Sequence, residues 1–93
     1  MGNQIMALLA EAGTIQLIML IRESRMIQTQ DIREIPGNYY RLRDVVLAGL
    51  IEAGLVKKET IERPYLTYNY SLTERGQFVA DKLAEIEAYV AKD

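Results

Sequence analysis

The stretch Asn38-Tyr39-Tyr40-Arg41-Leu42-Arg43-Asp44 gathers an amide, two phenols and two guanidiniums directly after the turn dipeptide Pro36-Gly37. These groups bind rather than cleave. Arginine can fork onto phosphate or guanine and asparagine can pair with adenine, while tyrosine offers a hydroxyl for phosphate and a flat face for sugar or a thymine methyl. The residues of catalysis are not there: the chain has no histidine and no cysteine, which removes the usual general base, the thiol nucleophile, disulfides and cysteine-ligated metals. No Gly-rich phosphate loop occurs. Glu23, Asp31 and Glu34 read as helix-surface charges, not as a pair in an apolar cleft. The chain is therefore expected not to be an enzyme and to hold neither metal nor cofactor.

Such a cluster has to be positioned, and hydrophobic spacing outlines how. Residues 3–12 carry Ile5, Leu8, Leu9 and Ala12 at helical spacing, and Gly13 stops them. Thr14 is a candidate cap for a helix over 14–24 that is apolar nearly all round, through Ile15, Leu17, Ile18, Met19, Leu20 and Ile21. In a small protein such a helix suggests that a second subunit covers part of it. Residues 25–27 read as a link or edge strand, after which Thr29 is placed to cap a short helix. Pro36-Gly37 then turns the chain into a longer helix capped by Asn38, in which Leu42, Val46, Leu50 and Ala53 share a face and Gly54 is the left-handed terminator. Two helices joined by a tight turn over 29–54 make a helix-turn-helix.

Beyond Gly54 the pattern changes to strands. LVKKETIE and YLTYNYSL flank Arg63-Pro64, and in the second Leu66, Tyr68, Tyr70 and Leu72 alternate with polar residues, so residues 55–72 are expected to form a hairpin. Residues 73–91 read as a helix begun by Thr73 or by a Ser71-x-x-Glu74 box. There Val79, Leu83, Ile86 and Val90 are spaced as a heptad seam. The 93 residues suit a single domain, mainly α with a small β-hairpin. Such a chain buries about 60 to 68% of its unfolded surface. With 49% apolar and 26% charged residues the composition is that of a folded protein. No apolar run reaches the length of a membrane span, and the amino terminus lacks a signal-peptide pattern, so a cytoplasmic location is expected.

The order helix, helix, helix-turn-helix, hairpin, helix resembles the winged helix-turn-helix of MarR-like, PadR-like and ArsR-like transcriptional regulators. LAGLIEAGLVKKE (47–59) looks like the end of a recognition helix entering the first wing strand, and YNYSLTERG (68–76) like the second wing strand entering the carboxy-terminal helix. The resemblance covers roughly residues 14–80. It implies a homodimer on double-stranded DNA, with recognition helix 38–53 in the major groove and wing 55–72 on the backbone or minor groove. Carried onto this sequence, the DNA contacts would be Asn38, Tyr39, Tyr40, Arg41 and Arg43 from the helix, and Lys57, Lys58, Arg63 and Tyr65 from the hairpin. The dimer interface would take Ile15, Ile18, Val79, Leu83, Ile86 and Val90. No separate effector domain and no membrane partner are expected, and a small-molecule effector is the lesser expectation.

Plainer roles compete at each position. Tyr39 and Tyr40 could only pack the helix, Arg41 and Arg43 could serve solubility or pair with Asp44, and strand alternation sends Lys57 and Lys58 to opposite faces. Met6, Met19 and Met26 are ligand-pocket candidates or gap fillers. The net charge of −2 and pI near 5.1 keep two further functions open: a protein-binding adaptor, and an architectural protein that binds DNA without regard to sequence.

Overall fold

The computed structural model describes residues 2–91, with side chains from residue 5 onward. Helix α1 (Gly2–Ala10) ends two residues before the expected residue 12, and α2 (Thr14–Ser24) follows. The α2 cap is Gly13, in the left-handed region. Thr14, the expected cap, is instead the first helical residue, fully buried, with a hydroxyl that finds no partner among the described residues. Backbone bonds close this corner without it: the Thr14 N–H donates to the Glu11 carbonyl at 3.2 Å and the Leu17 N–H to that of Gly13 at 2.9 Å. α2 buries Leu17, Ile18 and Ile21 against α1, α5 and the sheet, yet Ile15, Gln16 and Glu23 stay exposed. Its apolar surround is thus open on one side.

Strand β1 (Ile27–Gln28) leads into a 3-10 helix (Thr29–Glu34). Here too the cap differs from the expected residue. Gln28 caps it in a reciprocal box with Asp31, whose Oδ2 accepts from the Gln28 N–H at 2.8 Å. Thr29 is turned inward, its hydroxyl 3.5 Å from that of Tyr70. After the Pro36-Gly37 turn a continuous helix occupies residues 39–52, built from α3 (Tyr39–Arg41), a π-helical stretch (Leu42–Leu47) and α4 (Ala48–Glu52). Asn38 caps it as expected, accepting from the Arg41 N–H at 3.1 Å. The π turn explains which residues face inward. An i→i+5 repeat sets Leu42 and Leu47 one above the other, and both are buried, whereas Val45 is left outside. The helix ends as expected at Gly54, with φ of 81°. The Leu55 N–H returns to the Leu50 carbonyl at 2.9 Å and the Gly54 N–H to that of Ile51 at 3.0 Å, the pair of bonds of a Schellman stop.

Strands β2 (Val56–Ile61) and β3 (Thr67–Leu72) form the hairpin, and β1 adds to the far edge of β3, giving an antiparallel sheet of order β1-β3-β2. The register pairs Val56 with Leu72, Lys58 with Tyr70 and Thr60 with Tyr68. Those six side chains share one face, while Lys57 and Glu59 share the other. The tip contains a cis Arg63–Pro64 peptide. Helix α5 (Glu74–Ala91) then starts at Thr73, not in the Ser71 box, because the Thr73 Oγ1 accepts from the Gly76 N–H at 3.0 Å while donating to the Gly54 carbonyl. One hydroxyl therefore ties the start of α5 to the end of α4. Thr73→Ala is expected to lower stability by about 1 kcal/mol, read in a thermal or urea melt.

The first half of α5 lies on the body of the protein through buried Gly76 and Ala80 and half-buried Val79 and Leu83. The Arg22 side chain bonds Asp81 at 3.0 Å across the α2–α5 contact and, with Gln77, holds that carboxyl below its usual range. From Glu85 to Ala91 every residue is exposed. The end of α5 thus stands clear of the core that Leu17, Ile21, Ile32, Val46, Leu50 and Leu55 occupy.

Candidate nucleic-acid interface

The start of the long helix builds a compact aromatic and cationic cluster. Tyr39 is half-buried against the core, and Tyr40, 61% exposed, meets it edge to face at 5.2 Å between centroids. Tyr39 therefore fills the packing role while one ring face stays with the surface. Arg43 stands 5.5 Å from the Tyr39 ring and 5.3 Å from that of Tyr40. It forks onto Asp44 through Nε at 2.7 Å and Nη2 at 3.1 Å. The fork raises the Arg43 pKa and lowers that of Asp44, because each ion favours the charged form of the other. Asp44 thereby fixes the direction of the guanidinium.

Arg41 has a partner that the sequence did not suggest. Its Nη2 binds both carboxylate oxygens of Glu11, at 2.5 and 2.7 Å. Thirty positions separate the two residues, and only the packing of the α1–α2 corner against the helix start brings them together. Arg33 was also missed. It lies in the 3-10 helix, yet its guanidinium sits 3.9 Å over the centroid of Tyr39. No periodic signal links positions on two elements across a turn, so sequence spacing alone could not pair them.

The hairpin contributes unequally. Lys58 leans over the Tyr68 ring at 4.2 Å and faces the long helix across an open groove of about 380 Å³, lined by Arg43, Asp44, Ala48, Lys58, Tyr68 and Tyr70 among others. Lys57 is on the opposite face beside Glu59, and Arg63 and Tyr65 are exposed at the tip. The fold therefore brings Arg43 and Lys58 to one groove and leaves Lys57 outside it. Asn38 is exposed, with its side-chain oxygen committed to the cap.

The residues expected at a dimer interface divide in the same way. Ile18 is 1% exposed within the chain's own core, which corrects its assignment: no surface of it is left for a second subunit. Val79 and Leu83 pack in part against that core, while Ile15, Ile86 and Val90 are exposed. Phe78 and Tyr89 join the exposed set. They lie eight and three positions from Ile86, a spacing that returns to one helical flank. Met6 and Met26 are exposed and Met19 half-buried. Among the described residues no group of His, Cys, Asp and Glu gathers in a way that could hold a metal ion, and no helix is long and apolar enough to cross a membrane.

Comparison with known proteins gives matches in structure. No protein-family model matches the chain, and no curated protein matches it significantly. A protein from Porphyromonas gingivalis W83, described as a transcriptional regulator of the MarR family, superposes with a TM-score of 0.77 at 27% identity, over 98% of this chain and 89% of that one. A transcriptional regulator homologue from Pyrococcus horikoshii OT3 superposes with a TM-score of 0.70 at 19% identity, over 92% of this chain and 87% of the other. The chain has the winged helix-turn-helix fold of MarR-like transcriptional regulators.

Proposed function

We propose that the protein is a homodimeric transcriptional regulator that binds double-stranded DNA in a sequence-specific manner from the cytoplasm, as one domain over residues 1–93. Residues 38–53 enter the major groove and the hairpin of residues 55–72 meets the backbone or minor groove. The observation that carries this reading is the Tyr40, Arg43 and Asp44 cluster at the start of the second helix of a helix-turn-helix. An arginine held in a fixed direction by a carboxylate is suited to a bidentate bond with guanine. The overlap with a MarR-family regulator along nearly the whole chain supports the same conclusion.

The test is fluorescence anisotropy with labelled duplex DNA across a salt series. With three or four phosphates bound per subunit, the dimer is expected to show a log–log salt slope of roughly −5 to −7. Arg43→Ala is expected to weaken an operator by about 1 to 3 kcal/mol per half-site and to relax the base preference there. A slope near −1 would remove the proposed footprint.

One observation favours a second reading. Arg41 and Arg43 are both neutralised within the chain, by Glu11 and Asp44, and the overall charge is negative. A winged helix with such a surface suits a protein-binding adaptor. No binding to any duplex at low salt would select it.

A further inference from the structure

Four cations surround the helix start and the groove beside it: Arg33, Arg41, Arg43 and Lys58. They fall into two pairs. Arg41 and Arg43 are bonded to carboxylates of the same chain. Arg33 and Lys58 have no carboxylate within 4.0 Å among the described residues, and each instead lies on a tyrosine face, at 3.9 Å from the Tyr39 centroid and 4.2 Å from that of Tyr68. The two pairs are interleaved. Arg33 and Arg43 share the Tyr39 ring, and Arg43 and Lys58 line the same groove.

We propose that Arg33 is a phosphate contact of the DNA surface, working with Lys58 on either side of the Arg43–Asp44 fork, and that Arg41 is not a contact. The assignment rests on the DNA-binding reading above. Its physical basis is the charge beside each cation. The Glu11 carboxylate offsets the Arg41 charge and stands next to it, where it repels an incoming phosphate, whereas Arg43, held by Asp44 through Nε and Nη2, keeps its Nη1 edge for a base, which carries no charge to repel. A guanidinium stacked on a ring keeps its N–H edges open while its rotamer is already confined, so it loses little freedom on binding. Lys58 is confined in the same manner over Tyr68. Arg41 then acts as a strut between the α1–α2 corner and the helix start. Its charge is spent on Glu11.

The experiment measures the salt slope of binding to two unrelated duplexes for wild type, Arg33→Ala, Arg33→Lys, Lys58→Ala and Arg41→Ala. Each lost phosphate contact lowers the slope by about 0.9, so the Arg33→Ala and Lys58→Ala dimers are each expected to lose about 1.8, equally on both duplexes. Arg33→Lys, which keeps the charge, is expected to recover most of the loss, and Arg41→Ala to leave the slope unchanged. Arg33 and Lys58 are exposed, so their variants should melt as wild type does, and the melt is run alongside. A steep wild-type slope that stays unchanged in Arg33→Ala, or that falls in Arg41→Ala, overturns the assignment and leaves DNA binding intact. A wild type that binds neither duplex at low salt overturns both.

Discussion

Gly76→Ala is expected to destabilise the protein by more than about 3 kcal/mol, a large part of the roughly 5 to 14 kcal/mol that a domain of this size holds. Gly76 is buried in the first turns of α5, where that helix crosses the segment leaving α4. A Cβ placed there would stand 1.9 Å from the carbonyl oxygen of Leu55 and 2.8 Å from its carbonyl carbon. Both are backbone atoms and cannot swing aside. The same oxygen is not free to move for another reason: it accepts the Thr73 N–H at 3.0 Å, one residue from the Schellman stop at Gly54. To admit one methyl group, α5 would have to lift off the sheet, separating Ala80 from the core and stretching the Arg22–Asp81 bond. That exceeds ordinary overpacking, which costs about 1 to 3 kcal/mol. Urea denaturation of Gly76→Ala beside Gly49→Ala separates steric from general effects. At Gly49 the added Cβ meets only the tip of the Leu8 side chain, at 3.1 Å, and the gain in helix propensity of about 1 kcal/mol offsets that contact. Equal stability of the two variants would refute the close-packing account.

This glycine shows how much of the fold was legible. YNYSLTERG looks like a wing strand running into a helix, and its last residue is the point where that helix meets the segment leaving α4 most closely. Signals of this kind are local: Asn38 as cap, Gly54 as stop, the alternation through Tyr68 and Tyr70, and Thr73 as one of two named starts all depend on neighbours within a few positions. Failures occurred where the competitor for a role was also local but better placed. At two helix starts a threonine was expected to cap and the preceding residue did so, because Thr14 and Thr29 both turn inward. The π stretch settles a point that helical spacing leaves open. An α-helical wheel cannot distinguish Val45 from Leu47 as core residues, and the wider turn decided it.

The make-up of the candidate site was legible in type but its pairings were not. Tyrosine, arginine and asparagine at a helix start are groups suited to binding, but which arginine meets a carboxylate depends on long-range packing. Asp44 adjoins Arg43 in sequence, and their pairing was foreseeable. Glu11 reaches Arg41 only because Gly13 turns α2 back across the helix start. Arg33 reaches Tyr39 only after the Pro36-Gly37 turn. Of the four cations around the helix start and its groove, the structure pairs Arg41 and Arg43 with carboxylates and lays Arg33 and Lys58 on tyrosine rings.

The second large effect concerns assembly. Ile86→Glu together with Val90→Glu is expected to convert the proposed dimer to monomers and to weaken operator binding by at least about 100-fold, because two linked half-sites gain on the order of 10² to 10⁴ in avidity over one. These two positions are the informative ones. They are 60% and 69% exposed on the part of α5 that stands clear of the core, so charge there costs the folded monomer little. Leu83 would not serve: it packs partly against the core, and a glutamate at that site would confuse unfolding with dissociation. Ile86 and Val90 belong to an exposed apolar stripe with Phe78 and Tyr89, and burying a carboxylate in its middle removes the hydrophobic gain while adding a desolvation cost. Sedimentation velocity reads the subunit count, and anisotropy on a palindromic site and on a single half-site reads the consequence. Wild type should prefer the palindrome strongly, and the double variant should bind both equally and weakly with an unchanged melting temperature extrapolated to low concentration. A variant that still sediments as a dimer would move the interface to Ile15, Met6 and the open side of α2, the other exposed apolar surface on the amino-terminal helices.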